Sequence, residues 1–433
     1  MRLITTVLLA ATLLCLSAPV HGDDWPQWGG PQHDGVWREK GIVDKLSPGL
    51  LPRVWSTPTG EGYAGPAVAD GRVYITDLIE RKARDAIERI RSLDAATGQV
   101  KWEQKYPVSY SIDYPAGPRA TPVIDGPRVY TIGAMGDLLC CDAANGEVLW
   151  KKSFQADFDT VLPIWGMAAS PYIDGDQLIT LVGGAKGALV VSFDKTTGNE
   201  LWRALSDKEI GYCPPTIFTF GKSRQLIVWH PRSVTALDPS TGKQLWDIPW
   251  TIKAGLCVPT PRQFENRLLF TSFYNGSLML EVSADPPAAK ILWKGKSNSE
   301  QASRTDGLHS IMSTPIFDGK NIYGVCSYGQ VRGLDASNGK RLWETLEATG
   351  DGRWWNAFFV PQGDRTFIHN EQGDLIIAKL APDGYHELSR AKLIEPTRLV
   401  MNRMTIWSHP AFAMKSVFAR NDEEIIRVDL SAK

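Results

Sequence analysis

The sequence predicts an all-β chain, an eight-bladed β-propeller in which an N-terminal strand completes the last blade. Three observations predict it. A turn-plus-tryptophan motif returns along the chain at a period near 48 residues. A small residue followed by Pro opens the first strand of several repeats. The two ends of the chain each lack what the other supplies. Composition agrees. Of 433 residues, 43% are hydrophobic and 22% charged, the balance of a globular chain. Gly (39) and Pro (28) favour turns over long helices. Sixteen Trp outnumber 14 Phe and 12 Tyr, so the fold uses Trp repeatedly. Lys+Arg 47 against Asp+Glu 48 leaves a formal charge of −1, without the basic excess of a nucleic-acid binder.

In chain order, residues 1–22 read as a secretory signal peptide. Arg2 supplies the positive start, residues 3–18 are largely apolar, and Val20-His21-Gly22 precedes the acidic Asp23-Asp24. The apolar run is shorter than the roughly 18 residues a membrane span needs. Cys15 follows Thr12-Leu13-Leu14, a poor lipobox, so a lipid anchor is not expected. The expected location is periplasmic or secreted, with no transmembrane segment. Residues 23–49 form an N-terminal extension and residues 50–433 the propeller.

Five segments share a hydrophobic residue or Cys, then Asp, two variable residues, Thr or Asn, Gly, and Trp eight residues after the Asp. They begin at Asp94, Asp142, Asp194, Asp238 and Asp335 and end at Trp102, Trp150, Trp202, Trp246 and Trp343. A worn sixth copy keeps Asp285 and Trp293 with Ala289 in place of Gly, and a seventh runs from Asp383-Gly384 to Leu388. Asp accepts hydrogen bonds from backbone N–H groups two residues on, and Gly tolerates positive φ, so the motif is a hairpin turn. Alternating apolar residues on either side give two strands. The Trp is expected to plug the space between blades. A second hairpin precedes each motif, as in Thr121-Pro122 to Asp125-Gly126, Ser170-Pro171 to Asp174-Gly175 and Thr314-Pro315 to Asp318-Gly319. Four short strands per repeat without intervening helix patterns indicate propeller blades.

The tryptophan positions and Leu388 are spaced by 48, 52, 44, 47, 50 and 45 residues, and Trp55 stands 47 before Trp102. Trp55 has an outer strand but no turn before it. The C-terminus has Ile425-Ile426-Arg427-Val428-Asp429 but no fourth strand. Pairing the two completes an eighth blade and leaves no open edge.

Five cysteines follow residue 22. No Cys-x-x-Cys spacing occurs and the seven His are scattered, so no metal site is expected. Cys141 fills the hydrophobic slot before Asp142, and its strand neighbour Cys140 should point to the opposite face. Cys213 and Cys257 each lie eleven residues after their repeat's Trp. A bridge between them and a pair of buried thiols both fit this spacing. The charged stretch 80–91 reads as a solvated hairpin extension.

The repeated Asp-x-x-Thr-Gly-x-x-x-Trp resembles the pyrroloquinoline-quinone (PQQ)-type propeller repeat, over nearly all of residues 50–433. Asp24-Trp25-Pro26-Gln27-Trp28-Gly29-Gly30-Pro31 resembles the start of secreted PQQ-like repeat proteins, planctomycete ones especially. One branch of that family, the quinoprotein dehydrogenases, holds PQQ and Ca²⁺ in the central channel. The other resembles the outer-membrane assembly factor BamB and binds protein without a cofactor. No segment here matches the dehydrogenases' calcium or base motifs residue by residue. No Gly-x-Ser-x-Gly elbow occurs either. The resemblance therefore implies a BamB-like, non-catalytic binding scaffold, monomeric and without cofactor. The alternatives are a PQQ–Ca²⁺ dehydrogenase centred on the channel, and an extracellular carbohydrate- or polymer-binding propeller.

The candidate site follows from the blade alignment. Three residues before each Pro-equivalent position stand Tyr63, Arg119, Ala168, Tyr212, Val258, Met312, Trp355 and Trp407. Trp165, His309, Trp354 and His409 lie close in sequence. Blade packing requires none of these aromatic and Arg residues, and such residues serve binding hot spots. They are expected to form a channel mouth that takes a protein or an extended ligand.

Overall fold

A computed structural model describes residues 23–432; the signal peptide read at 1–22 lies outside the described residues. Eight four-stranded antiparallel sheets are arranged in chain order. Blades 1 to 7 occupy residues 67–109, 123–153, 172–204, 216–249, 262–294, 316–345 and 357–392. Blade 8 takes three strands from residues 411–429 and its fourth, Arg53–Pro58, from the N-terminal side. The register pairs Arg53 with Val428, Trp55 with Arg427 and Ser56 with Ile426. The two incomplete ends of the sequence thus close the ring.

Each repeat turn is built as its residue types dictate. In blade 2, Asp142 Oδ1 accepts from the backbone N–H of Ala144 (2.8 Å) and Asn145 (3.2 Å). Gly146 sits at φ +80, and a Cβ there would meet the Trp102 ring of blade 1 at 2.5 Å. The glycine therefore serves twice, as the left-handed turn residue and as the gap into which the preceding blade's indole fits. The same contact joins Trp55 to Gly98, Trp150 to Gly198, Trp202 to Gly242 and Trp293 to Gly339.

The indoles are more than apolar plugs. Trp55 Nε1 donates to Ala95 O (3.0 Å), Trp102 to Ala143 O (2.9 Å), Trp150 to Lys195 O (3.2 Å), Trp293 to Ala336 O (2.9 Å) and Trp343 to Ala381 O (2.8 Å). In the first four, the acceptor is the carbonyl just after the next blade's motif Asp. Trp202 and Trp246 donate instead to a Gln of their own blade, Gln177 (2.9 Å) and Gln225 (2.6 Å). Burial is less uniform than expected: Trp55, Trp102 and Trp246 are 8% exposed, but Trp150, Trp202, Trp293 and Trp343 are only half-buried.

Cys140 and Cys141 are buried in different core clusters, on opposite faces of their strand. All five described cysteines are free, Cys213 and Cys257 included. Burial pushes the Cys140 and Cys141 thiols up to about 12. The stretch 80–91 is a hairpin, from strands Arg72–Lys82 and Asp85–Asp94, but it is not solvated throughout. Glu88 is fully buried, accepting from Tyr106 Oη (2.5 Å), Tyr110 Oη and Ala134 N (3.1 Å). Burial raises its carboxyl above the ordinary range. Charge alone could not reveal that neighbouring chain closes over it.

Residues 23–49 cross one face of the ring. Trp25 bridges Val68 of blade 1, and Pro26 O accepts from Ile124 N of blade 2. His33 stacks on Tyr172 of blade 3 (4.2 Å), and His33 O accepts from Arg262 of blade 5 (3.2 Å). Trp37 is buried against Phe367 and Phe412 of blades 7 and 8. All these partners but Phe367 are the first or middle residue of a three-residue innermost strand, and Glu39 accepts from Gln362 Nε2 and Lys415 N (both 2.8 Å), at or just past the far ends of two such strands. The extension therefore lies at the end of the channel opposite the predicted mouth.

Candidate functional site at the channel mouth

The central channel holds a cavity of ≈ 200 Å³. Of the predicted residues, Tyr63, Arg119, Trp165, Tyr212, Trp354, Trp407 and His409 line it. Ala168, Val258 and Met312 complete the same level. The rings form a continuous chain of edge and tilted contacts. Tyr212 lies 5.6 Å from Trp165, Trp165 6.3 Å from Trp354, Trp354 6.4 Å from Trp407, and Trp407 6.2 Å from Tyr63. Such offset geometry is what ring quadrupoles favour. The Arg119 guanidinium then covers Tyr63 at 5.0 Å.

Two predicted residues stand elsewhere. Trp355 is 5% exposed and packs beside Gly329 and Gly350, where added Cβ atoms would meet its side chain at 2.9 and 2.8 Å. Its neighbour Trp354 takes the channel position instead. Trp354 has φ +63, a left-handed conformation that reverses the local chain direction and exchanges the two rings. His309 is fully buried away from the cavity. Its Nδ1 lies 3.1 Å from Phe273 O and its Nε2 3.5 Å from Asp306 Oδ1, so it braces the Ser272–Gly276 hairpin end.

The floor includes a residue that the sequence reading did not single out. Trp28 of the extension lines the cavity and donates Nε1–H to Thr260 Oγ1 at 2.7 Å. Its ring meets His409 edge-on at 4.6 Å. His409 Nε2 lies 2.7 Å from Thr121 Oγ1, and Thr121 N donates to Ser170 Oγ (2.9 Å). Burial holds His409 down at about 4, so the imidazole is neutral; its Nδ1 lies 3.1 Å from Pro410 O and carries the proton, which leaves Nε2 to accept from Thr121. Tyr114, also overlooked, lines the cavity and meets Trp354 at 6.2 Å. No periodic signal could have found Trp28, because the extension lies outside the repeat.

Behind the wall, Trp407 Nε1 donates to Glu371 Oε2 (2.9 Å), whose other oxygen accepts from Arg403 Nε (2.5 Å). Burial raises the Glu371 carboxyl despite these donors. Arg403 belongs to a two-stranded hairpin, Arg398–Val400 with Arg403–Thr405, inserted between blades 7 and 8. Its Leu399 is 68% exposed, and Val161 in the loop before blade 3 is 76% exposed. Both loops lead into innermost strands at the mouth end.

One cluster elsewhere has catalytic connectivity. His230 Nδ1 lies 2.6 Å from Asp207 Oδ2, and Ser233 Oγ 2.9 Å from His230 Nε2. That is the order of nucleophile, base and orienting carboxylate. Ser233 is 6% exposed, however, and Thr235 Oγ1 lies 3.2 Å from its hydroxyl. A hydroxyl so enclosed cannot meet an acyl substrate, so the cluster ties one hairpin end together.

These features define an eight-bladed propeller with a channel closed by its own N-terminal segment at one end and ringed by aromatic side chains at the other. The family model described as outer membrane protein assembly factor BamB matches residues 86–345 and 186–431. The chain belongs to this PQQ-like repeat propeller family. The BamB of Burkholderia pseudomallei (strain K96243) is 25% identical over 60% of this chain and 61% of its own length. The BamB of Alteromonas naphthalenivorans is 26% identical over 36% of this chain and 38% of its own. The chain thus spans less than two thirds of either curated relative. Among solved structures, Moraxella catarrhalis BamB superposes with TM-score 0.58 at 14% identity, over 88% of this chain and 98% of that one. A europium-containing methanol dehydrogenase gives 0.60 at 13%, over 94% and 89%. At such identities these structures share the fold alone. Among the described residues no helix is long and apolar enough to cross a membrane.

Proposed function

We propose that this chain is an exported, non-catalytic propeller that works by binding, taking a partner protein or an extended ligand at the open mouth of its channel. The observation that carries the reading is the mouth itself. One end of the channel is filled by Trp28, while at the other a ring of aromatic side chains converges beneath loops that expose Val161 and Leu399. Rings and apolar tips presented together are what interfaces use. The relatives named as assembly factors support a protein as partner. Export rests on the pattern of residues 1–22, and a mature N-terminus at Asp23 measured by mass spectrometry tests it.

The channel residues do not fit PQQ with Ca²⁺. Calcium takes six to eight oxygen ligands, carboxylates prominent among them. The cavity is lined by no Asp or Glu, and among the described residues no three His, Cys, Asp or Glu side chains gather as metal ligands. The adjacent cysteines diverge and cannot clasp a planar cofactor between them. Purified protein incubated with PQQ and Ca²⁺ should show no calcium-dependent stoichiometric binding and no dye-linked alcohol or sugar oxidation. Calcium-dependent loading accompanied by oxidation overturns the reading. Periplasmic protein captured by the native chain should be lost from a Val161→Asp, Leu399→Asp variant of unchanged melting temperature. Equal capture by both would remove the mouth from the interaction.

A further inference from the structure

We propose that the channel cavity is a small-molecule site for a planar aromatic monocarboxylate, with the carboxylate on Arg119 and the ring among Trp165, Trp354 and Trp407. This rests on the reading of the mouth as a binding site and names the ligand chemistry inside it.

The first observation is the charge. Arg119 has five N–H donors. Three hydrogen bonds go to backbone carbonyls, from Nη1 to Gly117 O (2.6 Å) and from Nη2 to Asp113 O (3.2 Å) and Tyr114 O (2.5 Å). Two donors remain. Carbonyls do not neutralise a cation, and among the described residues no carboxylate pairs with Arg119. A second guanidinium, Arg398, covers the same Tyr63 ring at 4.6 Å, but it is paired with Asp422 and lies 4.0 Å from Glu61. Two like charges share one ring, and only one of them has its counter-ion. Burial, and to a lesser degree the nearby Arg398, holds the Arg119 guanidinium below its ordinary value. An anion at Arg119 relieves both. The donors left over, on Nε and Nη1, do not form a fork, so a carboxylate takes a single charge-assisted N–H···O bond here.

The second observation is independent of charge. Trp354 Nε1 is buried and finds no acceptor in the protein. Its ring lines the cavity and contacts Trp165, Trp407 and Tyr114. That N–H is enclosed by protein, so what Trp354 offers a ligand is its ring surface and not a hydrogen bond.

The third is what the walls exclude. The polar groups at the floor, Thr121, Ser170 and the Trp28 indole N–H, are already bonded to protein partners. A sugar, which must satisfy many hydroxyls, is poorly served. A cation would meet Arg119 and no lining carboxylate. A flat ring with one anionic group meets stacking surface along the Trp165–Trp354–Trp407 arc, aliphatic wall at Val258 and Met312, and a guanidinium at the rim. Because Trp28 closes the floor, the ligand enters and leaves through the mouth.

The test is calorimetric titration of the full chain with 2-naphthoate, its neutral isostere 2-naphthamide, and octanoate. Naphthoate should bind at one site, and the amide should bind about 10- to 100-fold more weakly, the worth of a charge-assisted contact. Octanoate should fall behind naphthoate because it lacks a stacking face. Arg119→Met should erase the acid's advantage while leaving amide affinity within about threefold, which also shows that the variant is folded. Trp354→Ala, which removes a ring from the cavity wall, should weaken naphthoate at least severalfold. Amide binding as tightly as the acid, octanoate binding better than naphthoate, or no heat from any probe overturns the proposal. Naphthoate binding with unchanged partner capture upholds this site and leaves the protein-docking reading to its own test. Capture without naphthoate binding does the reverse.

Discussion

The rim of the ring and the lining of its channel are built on opposite plans. At the rim one contact recurs at five junctions: an indole from one blade rests on the turn glycine of the next, Trp55 on Gly98, Trp102 on Gly146, Trp150 on Gly198, Trp202 on Gly242 and Trp293 on Gly339. In the channel no such regularity holds. The same structural level carries Tyr63, Arg119, Ala168, Tyr212, Val258, Met312, Trp354 and Trp407 in successive blades. Packing between like neighbours demands the same answer each time, so the rim repeats. The channel is one shared space, and each blade contributes one side of it. The difference teaches that in a repeat fold the period writes the scaffold and the departures from the period write the site.

The largest effects should fall on packed indoles. Trp102→Ala removes a ring that is 8% exposed together with its bond to Ala143 O, and should cost about 3–5 kcal/mol in urea unfolding. Trp355→Ala should cost a similar amount, because this ring is packed like a rim residue although it sits beside the channel. A loss below about 1 kcal/mol at both would erase the distinction drawn here.

A smaller effect should come from pH. His409 is held at about 4 when folded, against 6.5 when free. The unfolded chain therefore binds its proton first as pH falls. The stability that neutral His409 contributes is complete above about 6.5 and is lost between 6.5 and 4, by up to roughly 3 kcal/mol. His369, also near 4, acts in the same window. Glu88 and Glu371, whose carboxyls are raised, give slopes of the opposite sign above their ordinary value of 4.5. The informative quantity is thus the difference between the native chain and His409→Gln, which should shrink steadily from pH 6.5 to 4. A difference independent of pH would show that His409 is not buried as a neutral ring.

The smallest effect on stability should be at Trp354. Its ring is only half-buried and its Nε1 has no bond to lose, so Trp354→Ala should cost about 1–2 kcal/mol, less than Trp355→Ala, while abolishing ligand binding at the mouth. Adjacent residues 354 and 355 would then behave as members of different regions. A large fall in melting temperature with binding intact would assign Trp354 to packing as well.

Much was legible because turn chemistry is local. Asp142, Asn145 and Gly146 specify their hairpin without help from distant chain, and spacing then counts the blades. Cys141 was placed correctly as a core residue because it occupies a slot whose other occupants are Phe and Leu. The channel level was legible to within one residue, because every blade presents its first strand in the same way. His309 and Trp355 were misplaced where loops, rather than strands, set the side-chain direction.

The sequence by itself determined the number of blades, the order of their strands and the pairing of Arg53–Pro58 with residues 424–428, since each follows from periodic patterns and from ends that complement each other. Only the tertiary structure decided which of two adjacent tryptophans faces the channel, that Glu88 is enclosed rather than solvated, and that residues 23–49 cross the ring to place Trp28 under the cavity. The physical reason is range. A turn is decided by hydrogen bonds within four residues, whereas the contact of Trp28 with Thr260 joins residues 232 apart in sequence, and no local pattern records it.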